Sequence, residues 1–328
     1  MSTPRTPRLL QIAGTIVAAA ICLSGCAAST PAPHEPAAKP ETVTVDNCGT
    51  TVDFPAAPKR VVTIKSTSTE MLLALGLADR IVGTAFQDGP LPEQLRPEAA
   101  LPVLADRVPS QEVVLTAEPD LVYAGWESNF SADGAGERSD LAALGIASYV
   151  SPAACKEAEY QPEKLAFDDI FAEIHEVARI FRVDDKKLLA AQRALLASIT
   201  PDDRGLTALW FSSGSDTPYI GAGIGAPQLI LDTIGLTNIA AAVNDTWTPY
   251  SWEAVIDVNP DVIVLVDSSW NSADKKIGIL EANPVTAQLD AVKNHRYLVV
   301  PFAASEAGVR TVWAAADLSR QLARLGGQ

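Results

Sequence analysis

The chain has 328 residues, 48% hydrophobic and 20% charged, enough for about two domains that each bury a core. Its 25 Lys and Arg against 40 Asp and Glu give a net charge of −15, which argues against nucleic acid as a main partner and against a basic helix lying on a membrane. Three histidines leave almost no room for a multi-histidine metal centre, and four cysteines are too few for a disulfide-built scaffold.

Residues 1–25 read as an address. Arg5 and Arg8 precede an apolar run, Ile12 to Leu23, that is too short to span a bilayer. The run ends in Leu23-Ser24-Gly25-Cys26, which resembles the bacterial lipobox, in which Cys26 is diacylated and becomes the mature N-terminus. An ordinary secretory signal cleaved elsewhere is the alternative. Residues 26–41 are rich in Ala, Pro, Ser and Thr without hydrophobic periodicity and read as a flexible tether, with His34 solvated in it. Cys22 leaves with the signal. In an oxidising compartment Cys48 and Cys155 most simply form one disulfide; two separate buried thiols are the alternative.

From there the pattern is α/β. Arg60 to Ile64 is a β-branched run that reads as a strand. Thr67-x-x-Glu70 reads as a capping box opening a helix that Gly76 stops. Ile81 to Thr84 is a strand, Glu112 to Ala117 a short helix, Leu121 to Tyr123 a strand, and Ala147 to Val150 another after a helix ending at Gly145. Strands alternating with helices predict parallel sheets with crossover connections. Phe167 to Phe181 carries apolar residues at helical spacing, and His175 on it reads as a surface or a satisfied structural histidine. Asp184 to Ile199 follows as a helix without Gly or Pro, with Pro201 just beyond. The predicted organisation is therefore an N-terminal α/β lobe over 42–183, a linker helix over 184–200 and a C-terminal α/β lobe over 201–328.

The second half echoes the first. Glu112 precedes Pro119-Asp120-Leu121-Val122 by seven residues, and Glu253 precedes Pro260-Asp261-Val262-Ile263 by the same seven. Leu75-Gly76-Leu77 is matched by Ile234-Gly235-Leu236. Chance is the alternative, since proline before a buried strand is common.

Sequence signatures of catalysis are missing: G-x-S-x-G, H-E-x-x-H, C-x-x-C and the P-loop pattern do not occur. His295 lies in a polar turn before the strand Tyr297 to Val300. Gly221-Ala222-Gly223-Ile224-Gly225-Ala226 fits G-x-G-x-x-[GA], but a polar, turn-like stretch precedes it. These glycines read better as the lead into a helix over Gln228 to Ile234, with Pro227 at its first position. Aromatic residues at strand ends are more informative. Trp126 and Trp270 follow strands, at the edge where open α/β sheets bind ligands. Trp247 and Tyr250 lie in a polar loop. Large planar residues there suit a bulky, flat or aromatic ligand, packing beneath a loop being the plainer reading. Trp210 and Trp313 read as core or core edge.

The lipobox, the duplicated Glu-x6-Pro-Asp pattern and the central helix together resemble the class III substrate-binding lipoproteins of ABC importers, which take ferric siderophores, cobalamin or haem. The resemblance runs from about Val43 to the C-terminus. It implies two Rossmann-like lobes joined by one long helix, with the ligand cleft between them. It places permease-docking carboxylates at Glu112 and Glu253 and cleft residues at Trp126, Trp247 and Arg310. The cysteine pair and Thr217 to Gly223, with Tyr219, look like an actinobacterial branch proposed to carry a coenzyme F420 precursor. The expected ligand set is Trp126, Tyr219, Trp247, Trp270 and Arg310, with Lys65, Lys156 and Lys275 as candidates for an anionic group. The resemblance also implies a monomer held at the membrane through its lipid alone. Its partners would be permease subunits and a small-molecule cargo that carries iron or is a cofactor precursor. The protein would hold no cofactor, catalytic residue or metal of its own. A cell-surface sensing or adhesion module is the reading of another class, and it would need no closed cleft.

Overall fold

A computed structural model describes residues 41–325. The signal segment, Cys26, His34 and the tether up to residue 40 lie outside the described residues. The first element is a hairpin that the composition did not announce, β1 (Val43–Asn47) and β2 (Thr50–Phe54). Its two-residue turn, Cys48-Gly49, has φ of 52° and 74°, the paired positive values of a tight hairpin turn. The first half continues with β3 (Val61–Ile64), α1 (Ser66–Ala74), β4 (Ile81–Ala85), β5 (Val103–Ala105), α2 (Gln111–Thr116), β6 (Leu121–Ala124), α3 (Arg138–Ala143) and β7 (Ala147–Val150). Its sheet is wholly parallel, in the order β5-β4-β3-β6-β7. The central strand β3 is buried on both faces, as its β-branched run requires.

Two helices follow, α4 (Phe167–Phe181) and α5 (Lys186–Ala197). The stripe Phe167, Ile170, Phe171, Ile174, Val177, Ala178 and Phe181 on α4 is buried. On the same helix Glu173 accepts from Tyr123 Oη at 2.8 Å and Glu176 from Tyr149 Oη at 2.7 Å, which ties α4 to β6 and β7. His175 is largely exposed, its Nδ1 2.7 Å from Asp185. On α5, Gln192 is buried and donates to the Val309 carbonyl at 2.7 Å.

The second half comprises β8 (Thr207–Ser213), β9 (Tyr219–Gly221), α6 (Ala226–Ile234), β10 (Thr237–Asn238), β11 (Trp247–Pro249), α7 (Trp252–Val258), β12 (Val262–Asp267), α8 (Ala273–Ala282), α9 (Asp290–Lys293), β13 (Tyr297–Pro301) and α10 (Thr311–Leu325). Its sheet runs β11-β9-β8-β12-β13, with β10 beside β8. Strands β8, β10, β12 and β13 are parallel, whereas β9 and β11 are antiparallel, so this sheet is mixed. The polar stretch after β8 reverses the chain at Gly214, φ 89°, where a side chain would overlap the Thr217 carbonyl. A hairpin therefore stands where the alternation predicted a crossover. Trp210 is fully buried, and Trp313 packs at the core edge.

Two local expectations change. The capping box at Thr67 does not form: the cap lies two residues earlier, at Lys65, and Glu70 is engaged elsewhere. Pro227 sits second in α6, because Gly225 is the cap and Ala226 the first helical residue. The repeat has a physical basis. Asp120 accepts from the backbone N–H of Lys59 and Arg60 at 2.8 and 2.9 Å, fixing the entry to β3. Asp261 accepts from Thr207 N and Oγ1, both at 2.8 Å, at the entry to β8. In each half the aspartate pins the strand that pairs with the one it precedes.

The hairpin docks on the first sheet. The Asn47 side chain bonds both the N–H and the carbonyl of Val150 at 2.8 Å, and Arg138 bridges Asn47 to Ser148. Cys48 at the hairpin tip is joined by a disulfide to Cys155. The bond closes a loop of 107 residues. On the chain-entropy account, replacing both cysteines by serine is expected to cost up to about 4–5 kcal/mol. Denaturant unfolding of the double variant checks this; an unchanged midpoint would show that Asn47 and Arg138 alone hold the hairpin.

Candidate ligand-binding site

The exit of β3 carries the residue around which the site is built. Lys65 has φ 81° and is 1% exposed. Its Nζ pairs with Asp88 from the loop after β4. The same ammonium lies 3.8 Å from the ring centre of Trp126, 4.4 Å from Phe86 and 4.8 Å from Phe302. Three aromatic faces and one carboxylate thus replace the water a lysine loses on burial. Burial lowers the Lys65 pKa, with Asp88 and Glu306 opposing. Gly125 makes this possible, since a side chain there would overlap Thr67 and Lys65 and lift Trp126 away.

Trp126 comes from the first half; Phe302 and Glu306 come from the segment after β13. The indole Nε1 donates to Glu306 Oε2 at 3.0 Å. Phe302 meets Trp126 edge-on at 6.4 Å and Trp270 at 5.5 Å between ring centres. Burial raises the Glu306 pKa, against the pull of Lys65 and of the Trp126 hydrogen bond. Opposite, Tyr219 on β9 stacks on Trp247 of β11 with ring centres 6.3 Å apart and planes 13° apart. The antiparallel register pairs Pro249 with Tyr219 and Trp247 with Gly221, which makes the two rings diagonal neighbours. Between these walls lies a cavity of about 320 Å³.

Of the expected ligand set, Trp126, Tyr219 and Trp247 line this cavity. Trp270 does not; it is 45% exposed and rests against Phe302. Arg310 is also not among the lining residues. It turns to Glu70 of α1, donating at 3.1 Å, in a pair whose side chains are 11% and 2% exposed. The two segments are 240 residues apart, so this guanidinium braces one half against the other. Burial pushes the Glu70 carboxyl up to about 7, with Arg310 opposing.

Among the three lysines, Lys156 lines the cavity with an exposed side chain, Lys65 is spent on Asp88 and the aromatic box, and Lys275 is exposed in the first turn of α8. Its neighbour Lys276 is the buried one, donating to the Val266 and Asn271 carbonyls, and burial lowers its pKa to about 8. The glycine-rich segment forms part of the wall at Ile224 and Gly225. A side chain at Gly221 would meet Pro227, and one at Gly223 the Ala241 carbonyl, so close packing accounts for both glycines. Glu112 and Glu253 are exposed, each the second residue of its helix behind a capping serine, Ser110 and Ser251. Sequence reasoning missed Phe86, Asp88, Phe302 and Glu306 as site residues. Glu306 lies four residues before Arg310, and its neighbours in sequence gave no sign of Trp126.

The sequence matches the periplasmic binding protein family over residues 61–304. It is 26% identical over 330 residues to the ABC transporter substrate-binding lipoprotein YvrC of Bacillus subtilis, covering 94% of this chain and 95% of that one. A periplasmic binding protein from Veillonella parvula superposes with a TM-score of 0.74 at 29% identity, over 86% of this chain and 97% of that one. A structure from Saccharomonospora viridis described as an ABC-type Fe3+-hydroxamate transport system gives 0.71 at 25% identity, over 87% and 99%.

A carboxyl whose folded pKa lies above its unfolded value stabilises the fold below the unfolded pKa and loses that contribution as pH rises through the folded one. For Glu70 the window runs from 4.5 to about 7. Glu173, pushed up to about 7 by burial, acts in the same direction. The melting temperature is therefore expected to fall as pH rises from about 5 to about 8. Glu70→Gln should flatten part of that slope, and Glu70→Gln with Glu173→Gln most of it. Thermal melts across the range check this; an unaltered slope in the double variant would place the titration elsewhere.

Proposed function

The chain belongs to the periplasmic binding protein family, and from that premise we propose that it captures a bulky cargo outside the cytoplasm for the permease of an ABC importer. The observation that carries the reading is the aromatic cavity between the two halves, walled by Trp126 and Phe302 on one side and by the Tyr219–Trp247 stack on the other. Such a site suits a ligand with large apolar or planar surface and few charges. A ferric siderophore of the hydroxamate type fits this chemistry, in keeping with the name of the Saccharomonospora relative. The planar ring of a coenzyme F420 precursor is the second reading, favoured by the stacked pair. We place the lobes at 42–183 and 201–328 with the linker over 184–200. We also propose that the protein acts as a monomer anchored through Cys26, in keeping with the lipoprotein relative.

Titrating tryptophan fluorescence against ferric hydroxamates, cobalamin, haem and F420 precursors tests the cargo. Binding should quench the emission, and Trp247→Ala should weaken it about tenfold or more. Unaltered affinity in that variant would place the cargo outside the cavity.

Glu112 and Glu253 support the docking half of the proposal. Helix polarity favours a carboxylate at each position and would explain either one singly. Two exposed carboxylates in matching places of the two halves suit paired arginines on a permease. Replacing both by alanine is expected to leave cargo binding intact and to cut uptake, and high salt should weaken docking of the wild type. Normal uptake in the double variant at equal surface expression would show that they only favour their helices.

A further inference from the structure

Glu306 is the one carboxylate among the described residues that line the cavity, and its charge is not spent within the protein. Oε2 accepts the Trp126 indole N–H, a neutral donor, at 3.0 Å. The nearby cation, Lys65, pairs directly with Asp88 instead. Arg310, four residues along, is taken by Glu70. Lys156 is the cation among the lining residues, and its exposed side chain is solvated at the rim. The carboxylate therefore sits half-buried among aromatic rings with no ion pair of its own. A charge so placed is costly unless a partner arrives.

We propose that Glu306 selects cargo bearing an ammonium or comparable cationic hydrogen-bond donor, which its carboxylate accepts while Trp126, Phe302, Tyr219 and Trp247 hold the apolar remainder. This rests on the cavity's being the cargo site and narrows the cargo to molecules carrying such a group. Burial raises the Glu306 carboxyl against the pull of Lys65, and a cation arriving in the cavity would oppose that rise further. A polyanionic ligand would meet this group as a like charge.

The test separates the carboxylate's role from the identity of the cargo. Dansylcadaverine carries an aromatic fluorophore and a terminal ammonium; its N-acetyl derivative is matched in shape but uncharged. Wild-type protein is expected to bind the ammonium form about tenfold more tightly, as a charge-assisted hydrogen bond at a partly desolvated carboxylate provides. Glu306→Gln keeps an acceptor for the indole and should bring the ratio near one. Glu306→Asp keeps the charge and should retain a preference for the ammonium. The same comparison is made with a linear ferric trihydroxamate bearing a free terminal ammonium and with its N-acetylated form. A ratio near one in the wild type, a ratio unchanged by Glu306→Gln, or no binding of either dansyl probe overturns the proposal. Should the ferric chelates fail to bind while the dansyl ratio follows Glu306, the ferric cargo falls and the role of the carboxylate stands.

Discussion

The site depends on a buried lysine. Lys65 ends the central strand of the first sheet in a left-handed conformation that turns its side chain inward rather than toward solvent. An ammonium there would be prohibitive alone. It is tolerated because Asp88 supplies the counter-charge and Phe86, Trp126 and Phe302 supply negative ring faces. Two of those rings belong to the first half and the third to the second half. The charge is fully surrounded only when the segment after β13 is in place. The same arrangement sets the plane of Trp126, whose edge then presents its N–H to Glu306.

The two halves share a plan and differ where the cavity lies. In both, an aspartate ahead of one strand pins the start of its neighbour, and a serine-capped helix displays a glutamate. The first half keeps a parallel sheet. The second inserts a hairpin, and β9 and β11 bring Tyr219 and Trp247 to one face as a stack. Parallel strands need a helix or long crossover between neighbours, whereas antiparallel ones place side chains from adjacent segments directly side by side. The departure from the repeat thus creates one wall of the cavity.

One apolar cluster includes residues of both halves, and specific polar contacts join them as well. Arg310 with Glu70, and Trp126 with Glu306, each join segments far apart in the chain. Both carboxyls are pushed upward by burial, and the two buried cations nearby are already paired. The interface therefore carries one carboxyl more than the cations can match. That surplus falls on the group that faces the cavity, where a ligand can reach it.

Much of the frame was legible in the sequence because it is decided locally. The β-branched run at Val61 to Ile64, the apolar stripe of Phe167 to Phe181 and the duplicated Pro-Asp spacing are each written by residues within a turn or two of one another. The position of Trp126 was legible for the same reason, since strand polarity alone brings it to the carboxyl edge of the sheet, where the cavity lies. What only the tertiary structure decided is how charges are partnered. Arg310 looked like a cleft residue and is a brace, Lys65 looked like an anion site and is sealed in rings, and Glu306 gave no signal and faces the cavity. A side chain's burial and charge balance depend on groups up to 240 residues away, and Coulombic and desolvation energies act through space rather than along the chain.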